Sequence, residues 1–523
     1  MTEMKSKFVK YPIGVQSFSE LRENGYVYID KTDIIYNLVH TGKYYFLSRP
    51  RRFGKSLLLS TLEAYFSAKK ELFEGLAISE LEDKWEKYPV VHIDMNTGYY
   101  NEPDGVQMRL SYVISVYEKE YGITSTEPIS IADRFDRLLK VIRGTTGMNT
   151  VILIDEYDKP ILSAMGDEEL EKAHRNALKP FYGVLKTCDE YIKFAFLTGV
   201  TKIGKLSVFS DLNNLSDISM DASYATLCGI SLDEAHDYFA DEIADFGRFT
   251  GKSYEEMFDK LKFEYDGYRF SKAEIYVFNP FSFLNALLKR DISSFWFSTG
   301  TPSYLVHLLR RDHFNLWSID GVERKANQLM DMRIDGHDPI PVIYQSGYLT
   351  IKDYNEKFNK YILGFPNREV REGFLDFLLP AYTGERVSET FDIERLVNEI
   401  SCGDVDAFMR RLQAIFANIP YVEAKDFDYE ATFRNVMYII FSMLGFYTDS
   451  EKHIVNGRID LVVRTASVIY VMEFKAGKTP EYALNQIDEN GYTTPFQADG
   501  RKIIRIAVTF DPQKRNIDRW VYE

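Results

Sequence analysis

A short aromatic and apolar stretch, Tyr44–Ser48, reads as a strand, and from Lys55 the residues Leu57, Leu58, Leu62, Tyr65 and Phe66 recur at helical spacing. Strand, turn and helix are predicted in that order. A second buried strand follows at Pro89–Met95 (Val90, Val91, Ile93), then amphipathic helices over 105–121 and 131–143, a third strand at Thr150–Asp155, a long helix over 167–189 and a fourth strand at Ile192–Thr198. Helical spacing runs from Asp233 to about Phe263 and is broken by Asp266-Gly267-Tyr268. Residues 279–365 read as a small mixed unit: helices over 279–290 and 302–311, then Tyr344–Ile351 leading into a hairpin that ends near Gly364. Residues 368–418 are mainly helical. A helix over 429–444, carrying Phe433, Val436, Met437, Ile440, Phe441 and Leu444, is closed by Gly445. After it, Gly457–Val463 and Val468–Lys475 form two strands joined by a turn.

Composition narrows the class. At 523 residues the chain is too long for one core. Its 45% hydrophobic and 27% charged residues are those of a soluble globular protein. Cys188, Cys228 and Cys402 lie far apart with no CxxC pair, which argues against a disulfide framework or zinc ribbon and suits a reducing compartment. No HExxH occurs among the eight histidines. The amino terminus lacks a stretch of signal-peptide length, and nowhere do about 18 apolar residues run together, so a cytoplasmic protein with no membrane span is expected. The net charge of −15 opposes non-specific attachment to nucleic acid by the chain as a whole. Residues 451–523, with 11 Lys and Arg against 10 Asp and Glu, escape the acidic excess, so any polyanion site is local.

The turn after the first strand reads Arg49-Pro50-Arg51-Arg52-Phe53-Gly54-Lys55-Ser56, and the third strand ends in Asp155-Glu156. A phosphate chain needs backbone N–H groups to cradle it, an ammonium for its outer phosphates, and a hydroxyl with a carboxylate to hold Mg²⁺. Gly54, Lys55, Ser56 and Asp155 supply those parts, and a nucleotide triphosphatase is expected. The pattern departs from GxxxxGK[ST] in one place: Arg49 stands where the first glycine usually permits the tight turn. Arg49, Arg51 and Arg52 are either direct phosphate contacts or solvated surface cations. Asp30-Lys31-Thr32 fits a helix amino-terminal signal better than a contact to the base. His92 and Asp94 on the second strand could line the nucleotide, against a paired buried histidine as the commoner use. Trp296–Pro302 reads as core packing rather than a partner surface.

On the last predicted strand Glu473 and Lys475 share a face while Phe474 points the other way, and Asp460 on the preceding strand can join them. Two carboxylates beside a lysine can bind a divalent metal and activate a water for phosphodiester attack. The plain alternative is a solvated face or a cross-strand ion pair. Acids inside such apolar runs nonetheless need a partner or metal to offset desolvation. Gln486 follows on a helix after Pro480, and Tyr492 after it.

Together these motifs resemble the bacterial AAA-ATPase-like family that carries a PD-(D/E)xK nuclease superfamily domain at its carboxy terminus. The likeness rests on Tyr11-Pro12-Ile13-Gly14, Tyr28-Ile29-Asp30-Lys31-Thr32, Ser48 to Ser56, Ile154-Asp155-Glu156-Tyr157-Asp158-Lys159-Pro160, Leu197-Thr198-Gly199-Val200-Thr201, Tyr344-Gln345-Ser346-Gly347-Tyr348-Leu349-Thr350 and Gly457 to Lys475, and covers almost the whole chain. It implies an α/β multidomain architecture. A P-loop domain of AAA type, three-layer α/β/α, would span 1–245, a helical lid and winged-helix-like module 246–367, a helical connector 368–425 and an α/β restriction-endonuclease-like domain 426–523.

By the same resemblance the run Arg52-Phe53-Gly54-Lys55-Ser56-Leu57 binds ATP, with Lys55 on the β/γ-phosphates. Ser56 and Asp155 hold Mg²⁺, Glu156 polarises the attacking water, and Thr198 or Thr201 senses the γ-phosphate. At the carboxy-terminal site it implies metal ligation by Asp460 and Glu473, with Mn²⁺ as an alternative to Mg²⁺, water positioning by Lys475 and support from Gln486. Glu430 matches either the superfamily's upstream acid or a helix-surface glutamate. The implied partners are ATP and nucleic acid, and a homo-oligomer is compatible with the family. The leading expectation is an ATPase that controls a metal-dependent nuclease. Its rivals are a nucleotide-dependent switch that binds nucleic acid or protein without cleavage, and a P-loop kept only as a scaffold.

Overall fold

A computed structural model describes residues 9–124, 129–202, 214–299, 303–330, 338–384, 392–419, 429–445, 449–455, 458–476, 478–489, 491–511 and 513–523. Two units emerge: residues 1–300 with 321–370, and residues 301–320 with 371–523.

In the first unit five parallel strands, β1 (Tyr44–Ser48), β2 (Val90–Asp94), β3 (Thr150–Asp155), β4 (Ile192–Gly199) and β5 (Ser216–Asp217), are ordered β2-β3-β4-β1-β5. Strand β4 lies between the phosphate-loop strand and the acidic strand, the inserted-strand order of AAA-type P-loop proteins. Every position of β1 and β3 is buried, so both faces of the sheet are covered. The register sets Ser48 beside Gly199, and Ile154 beside Leu197, which brings the carboxyl ends of β1, β3 and β4 to one edge. Sites in such sheets form at that edge, where loops leave the strands.

Helices Leu232–Thr250 and Tyr254–Tyr265 replace the continuous pattern expected from 233 to 263. Gly251 takes a left-handed φ of 74°, and Ser253 with Glu256 builds a capping box that starts the second helix. Helix Pro280–Lys289 packs with them around Phe239, Phe246, Phe278 and Phe283, joined by the short antiparallel pair β6 (Ile230–Ser231) and β7 (Val277–Phe278). The hairpin anticipated near Gly364 is β9 (Thr350–Asn355) with β10 (Lys360–Gly364), extended to three strands by β8 (Val322–Arg324). Helix Arg368–Thr383 carries the chain from the first unit to the second.

In the second unit the expected two-strand hairpin is part of a larger sheet. β11 (Asp449–Val455), β12 (Arg458–Arg464), β13 (Val468–Ala476), β14 (Lys502–Asp511) and β15 (Asn516–Tyr522) pair in chain order, antiparallel except for parallel β13 and β14. One face carries Tyr470, whose hydroxyl donates to the Ile400 carbonyl, and Phe474, whose ring lies 6.2 Å from that of Phe441. The other face takes helix Pro480–Glu489, whose Ile487 packs with Val462, Ile469 and Val471. No helix among the described residues is long and apolar enough to cross a membrane.

Candidate functional site

Helix Lys55–Phe66 begins directly after the phosphate loop, with Gly54 as its amino-terminal cap at φ 92° and no side chain capping its first N–H groups. Those orphan donors point where an anion is stabilised. The left-handed positions of the loop are Arg52, at φ 68°, and Gly54, while position 49 takes no positive φ. A glycine at 49 is therefore not needed here.

Lys55 is buried and donates to the carbonyls of Arg49, 3.0 Å, and Pro50, 3.1 Å. Burial lowers its pKa, against the carboxylates of Asp155, Glu156 and Asp158, which raise it. The Ser56 hydroxyl donates to Asp155 Oδ2 at 2.6 Å, and Thr198 donates to Asp155 Oδ1 at 2.5 Å. One buried carboxylate thus joins the starting helix, β3 and β4. Glu156, held at φ 48°, lines the adjoining cavity, and burial raises its pKa. Thr201 lies elsewhere in the network: its N–H and hydroxyl both donate to Asp158, at 2.6 and 2.7 Å.

The cavity holds about 470 Å³ and has two characters. Gly54, Lys55, Ser56 and Glu156 line a polar part, whereas Ile13, Val27, Ile29, Ile230, Phe239 and Leu284 line an apolar part. That division suits a molecule with a charged chain and a flat apolar ring system. Uncapped helix N–H groups, a buried ammonium and an adjacent hydroxyl and carboxylate are the donor set a magnesium triphosphate requires, so the residues present fit ATP with Mg²⁺. Phe53 lines the cavity, and its ring packs on Tyr268 and Phe270, at 4.8 and 5.4 Å. Leu57 lines the cavity.

The three loop arginines part company. Arg49 is 1% exposed, donates to the carbonyls of Ser48, Ser219 and Tyr224, and stacks on Phe270 at 4.1 Å, so it is neither surface cation nor cavity wall. Arg51 is exposed, and Arg52 lies 3.5 Å over the Phe281 ring. His92 is paired with Glu63 at 2.8 Å. Asp30 accepts from the N–H and hydroxyl of Thr32 at the start of helix Thr32–Thr41, whereas Lys31 pairs with Glu234 and also lines the cavity. Trp296 is buried against Tyr348, while residues 300–302 of that motif lie outside the described residues. The cavity walls at Val27–Ile29 and Leu227–Ile230 have no signature in local sequence; only the fold assembles them.

In the second unit Glu473 has no solvent exposure and forms an ion pair with Lys475, two residues along the same face of β13. Asp460 stands opposite Glu473 in the antiparallel ladder; its side chain, like that of Glu430, lies outside the described residues, as does Gly457. Helix Pro480–Glu489 covers the sheet face to which Glu473 and Lys475 belong. On that helix Gln486 donates to the Tyr482 hydroxyl at 3.3 Å, and its Oε1 is buried with no hydrogen bond.

The family described as predicted AAA-ATPase matches residues 12–209, and the PD-(D/E)XK nuclease superfamily matches residues 428–520. A protein of Azotobacter chroococcum mcd 1, named only as an uncharacterized protein in the vnfD 5' region, is 33% identical over 522 residues, 98% of this chain and 99% of that protein. The chain belongs to this family of AAA-ATPase-like proteins with a carboxy-terminal PD-(D/E)XK nuclease superfamily domain. Among solved structures it matches Orc1 of Aeropyrum pernix in complex with DNA, with 10% identity, TM-score 0.23, and coverage of 66% of this chain and 92% of that one. Cdc6p of Pyrobaculum aerophilum matches with 10% identity, TM-score 0.21, and coverage of 71% and 93%. Scores that low say nothing of function.

Proposed function

We propose that this protein binds ATP with Mg²⁺ in the cavity of the first unit and hydrolyses it, and that the second unit carries a metal-dependent site that cleaves DNA or RNA phosphodiesters. The observation that carries the first half is the meeting of Ser56, Asp155 and Thr198 at one carboxylate beside buried Lys55. In this reading Lys55 pairs with the outer phosphates, Ser56 and Asp155 hold the ion, Glu156 orients the attacking water, and Thr198 registers the γ-phosphate. A bound Mg²⁺ would neutralise phosphate charge as the terminal bond breaks. In the second unit Asp460 and Glu473 hold the metal, Lys475 positions the water and Gln486 supports it. The register of Asp460 against Glu473 supports this assignment.

A second reading is a nucleotide-dependent switch whose carboxy-terminal domain binds without cutting. The zero exposure of Glu473 and its neutralisation by Lys475 favour it. One set of assays on the full chain separates the two. Phosphate release should fall by roughly a hundredfold or more in Glu156→Gln while ATP binding persists. Mg²⁺- or Mn²⁺-dependent nicking of DNA or RNA should disappear in Asp460→Ala and in Glu473→Ala. Nicking that survives both substitutions rejects the nuclease assignment, and nucleotide-dependent association without scission selects the switch.

A further inference from the structure

Within the first unit the phosphate loop is gripped from behind, residue by residue, by Tyr268, Phe270, Phe281, Trp296 and Gly347. Arg49 stacks on Phe270 and Phe53 on Tyr268. Pro50 is so close to Gly347 that a Cβ added there would stand 2.6 Å from the proline's own Cβ. The Arg51 carbonyl accepts from Trp296 Nε1 at 3.3 Å, and the Arg52 guanidinium lies on Phe281. No position from 49 to 53 escapes such a contact. The two residues that reach Arg51 and Arg52 are themselves tied to one buried acid. Glu369 Oε1 accepts from the N–H groups of Phe295, 2.6 Å, and Trp296, 2.9 Å, and from the hydroxyl of Ser282, 3.1 Å, the neighbour of Phe281. The acid belongs to the first turn of helix Arg368–Thr383.

We infer that residues 268–299 and 338–369 of the first unit are the positioning element of the phosphate loop, with Glu369 as its central positioning residue. The inference rests on the reading that this loop binds a triphosphate. A loop that holds Arg52, a non-glycine residue, at a left-handed φ of 68° is not held in shape by its own local preferences. Packing from outside must hold it. Glu369 fixes the backbone of Trp296 and the start of helix Pro280–Lys289, and these hold Arg51 and Arg52 of the loop that lines the cavity. Small displacements of groups that bind charge have large effects on binding. Glu369 acts through the loop and touches no phosphate.

Calorimetric titration of the full chain with Mg-ATP and with AMP tests this. The substitutions are Trp296→Phe, which keeps an aromatic ring and removes the donor to Arg51 with part of the indole's bulk, Glu369→Gln, and Lys55→Ala. Absence of Mg-ATP binding by the unsubstituted protein removes the underlying reading itself. With binding present and lost in Lys55→Ala, the inference expects Trp296→Phe and Glu369→Gln to weaken Mg-ATP about tenfold. AMP, which lacks the β- and γ-phosphates, should bind unchanged, and the unfolding temperature should fall by no more than about 3 °C. Unchanged Mg-ATP affinity in both variants overturns the inference. So does an equal loss for ATP and AMP that follows the unfolding temperature, the mark of a merely structural role.

Discussion

At the scale of single residues, Glu369 shows how burial changes chemistry. Its carboxyl, 4% exposed, is pushed by burial from 4.5 up to about 7, although three donors to Oε1 favour the anion. A carboxyl that keeps its proton more tightly in the fold than in the unfolded chain adds stability below about pH 4.5 and loses that contribution as pH rises through about 7. The expected loss across that window is on the order of 3 kcal/mol. Urea unfolding of the wild type and Glu369→Gln at intervals between pH 5 and 8 checks the sign: the difference between them should shift in favour of the glutamine variant as pH rises, and a flat difference contradicts the assignment. Residue types also decided what the sequence disclosed. Lys55, Ser56 and Asp155 were legible because their chemistry is local to a loop and a strand end. The fate of Arg49 was not, since nothing near it in the chain announces that Ser219, Tyr224 and Phe270 will enclose its guanidinium.

Elements follow the same division. β1 and β3 were readable as short apolar runs bounded by turns, and the helix after Lys55 by its spacing. The break between helices at Gly251-Lys252-Ser253 carried its own signals, a left-handed glycine and a capping serine with Glu256 three residues on, but the apolar spacing on either side hid it. β14 and β15 were missed because their interest lies in completing a sheet rather than in any motif. Gly347 belongs to this scale, as the turn that ends helix Ile340–Gln345 and meets the phosphate loop. At φ 92°, with Pro50 in the way of a side chain, Gly347→Ala should cost about 1–3 kcal/mol. It should also weaken Mg-ATP more than it weakens AMP. Calorimetric unfolding and nucleotide titration measure both effects, and a neutral alanine would show that the close approach has no energetic consequence.

For the whole molecule, the acidic excess and the two units define what a functional account must join. In the first unit Lys55, Asp155 and Asp158 are buried together at the carboxyl edge of the parallel sheet. The second sets Glu473 and Lys475 inside an apolar sheet under a covering helix. In the sequence the first was announced by Gly54-Lys55-Ser56 and the strand-end Asp155, the second by apolar runs interrupted by acids, and the cavity that gives the first its shape comes from segments as distant as Ile13, Ile230 and Leu284. Every further claim, control of the second site included, presupposes that a magnesium triphosphate occupies that cavity. The direct measurement is calorimetric titration of the full chain with ATP, with Mg²⁺ present and with the metal chelated, on wild type and Asp155→Asn. The account predicts saturable uptake of ATP by the wild type that weakens at least about tenfold without Mg²⁺, and a matching loss in the variant that chelation no longer deepens. Heat of dilution alone from well-folded wild type, or ATP affinity indifferent to both Mg²⁺ and Asp155, would contradict it.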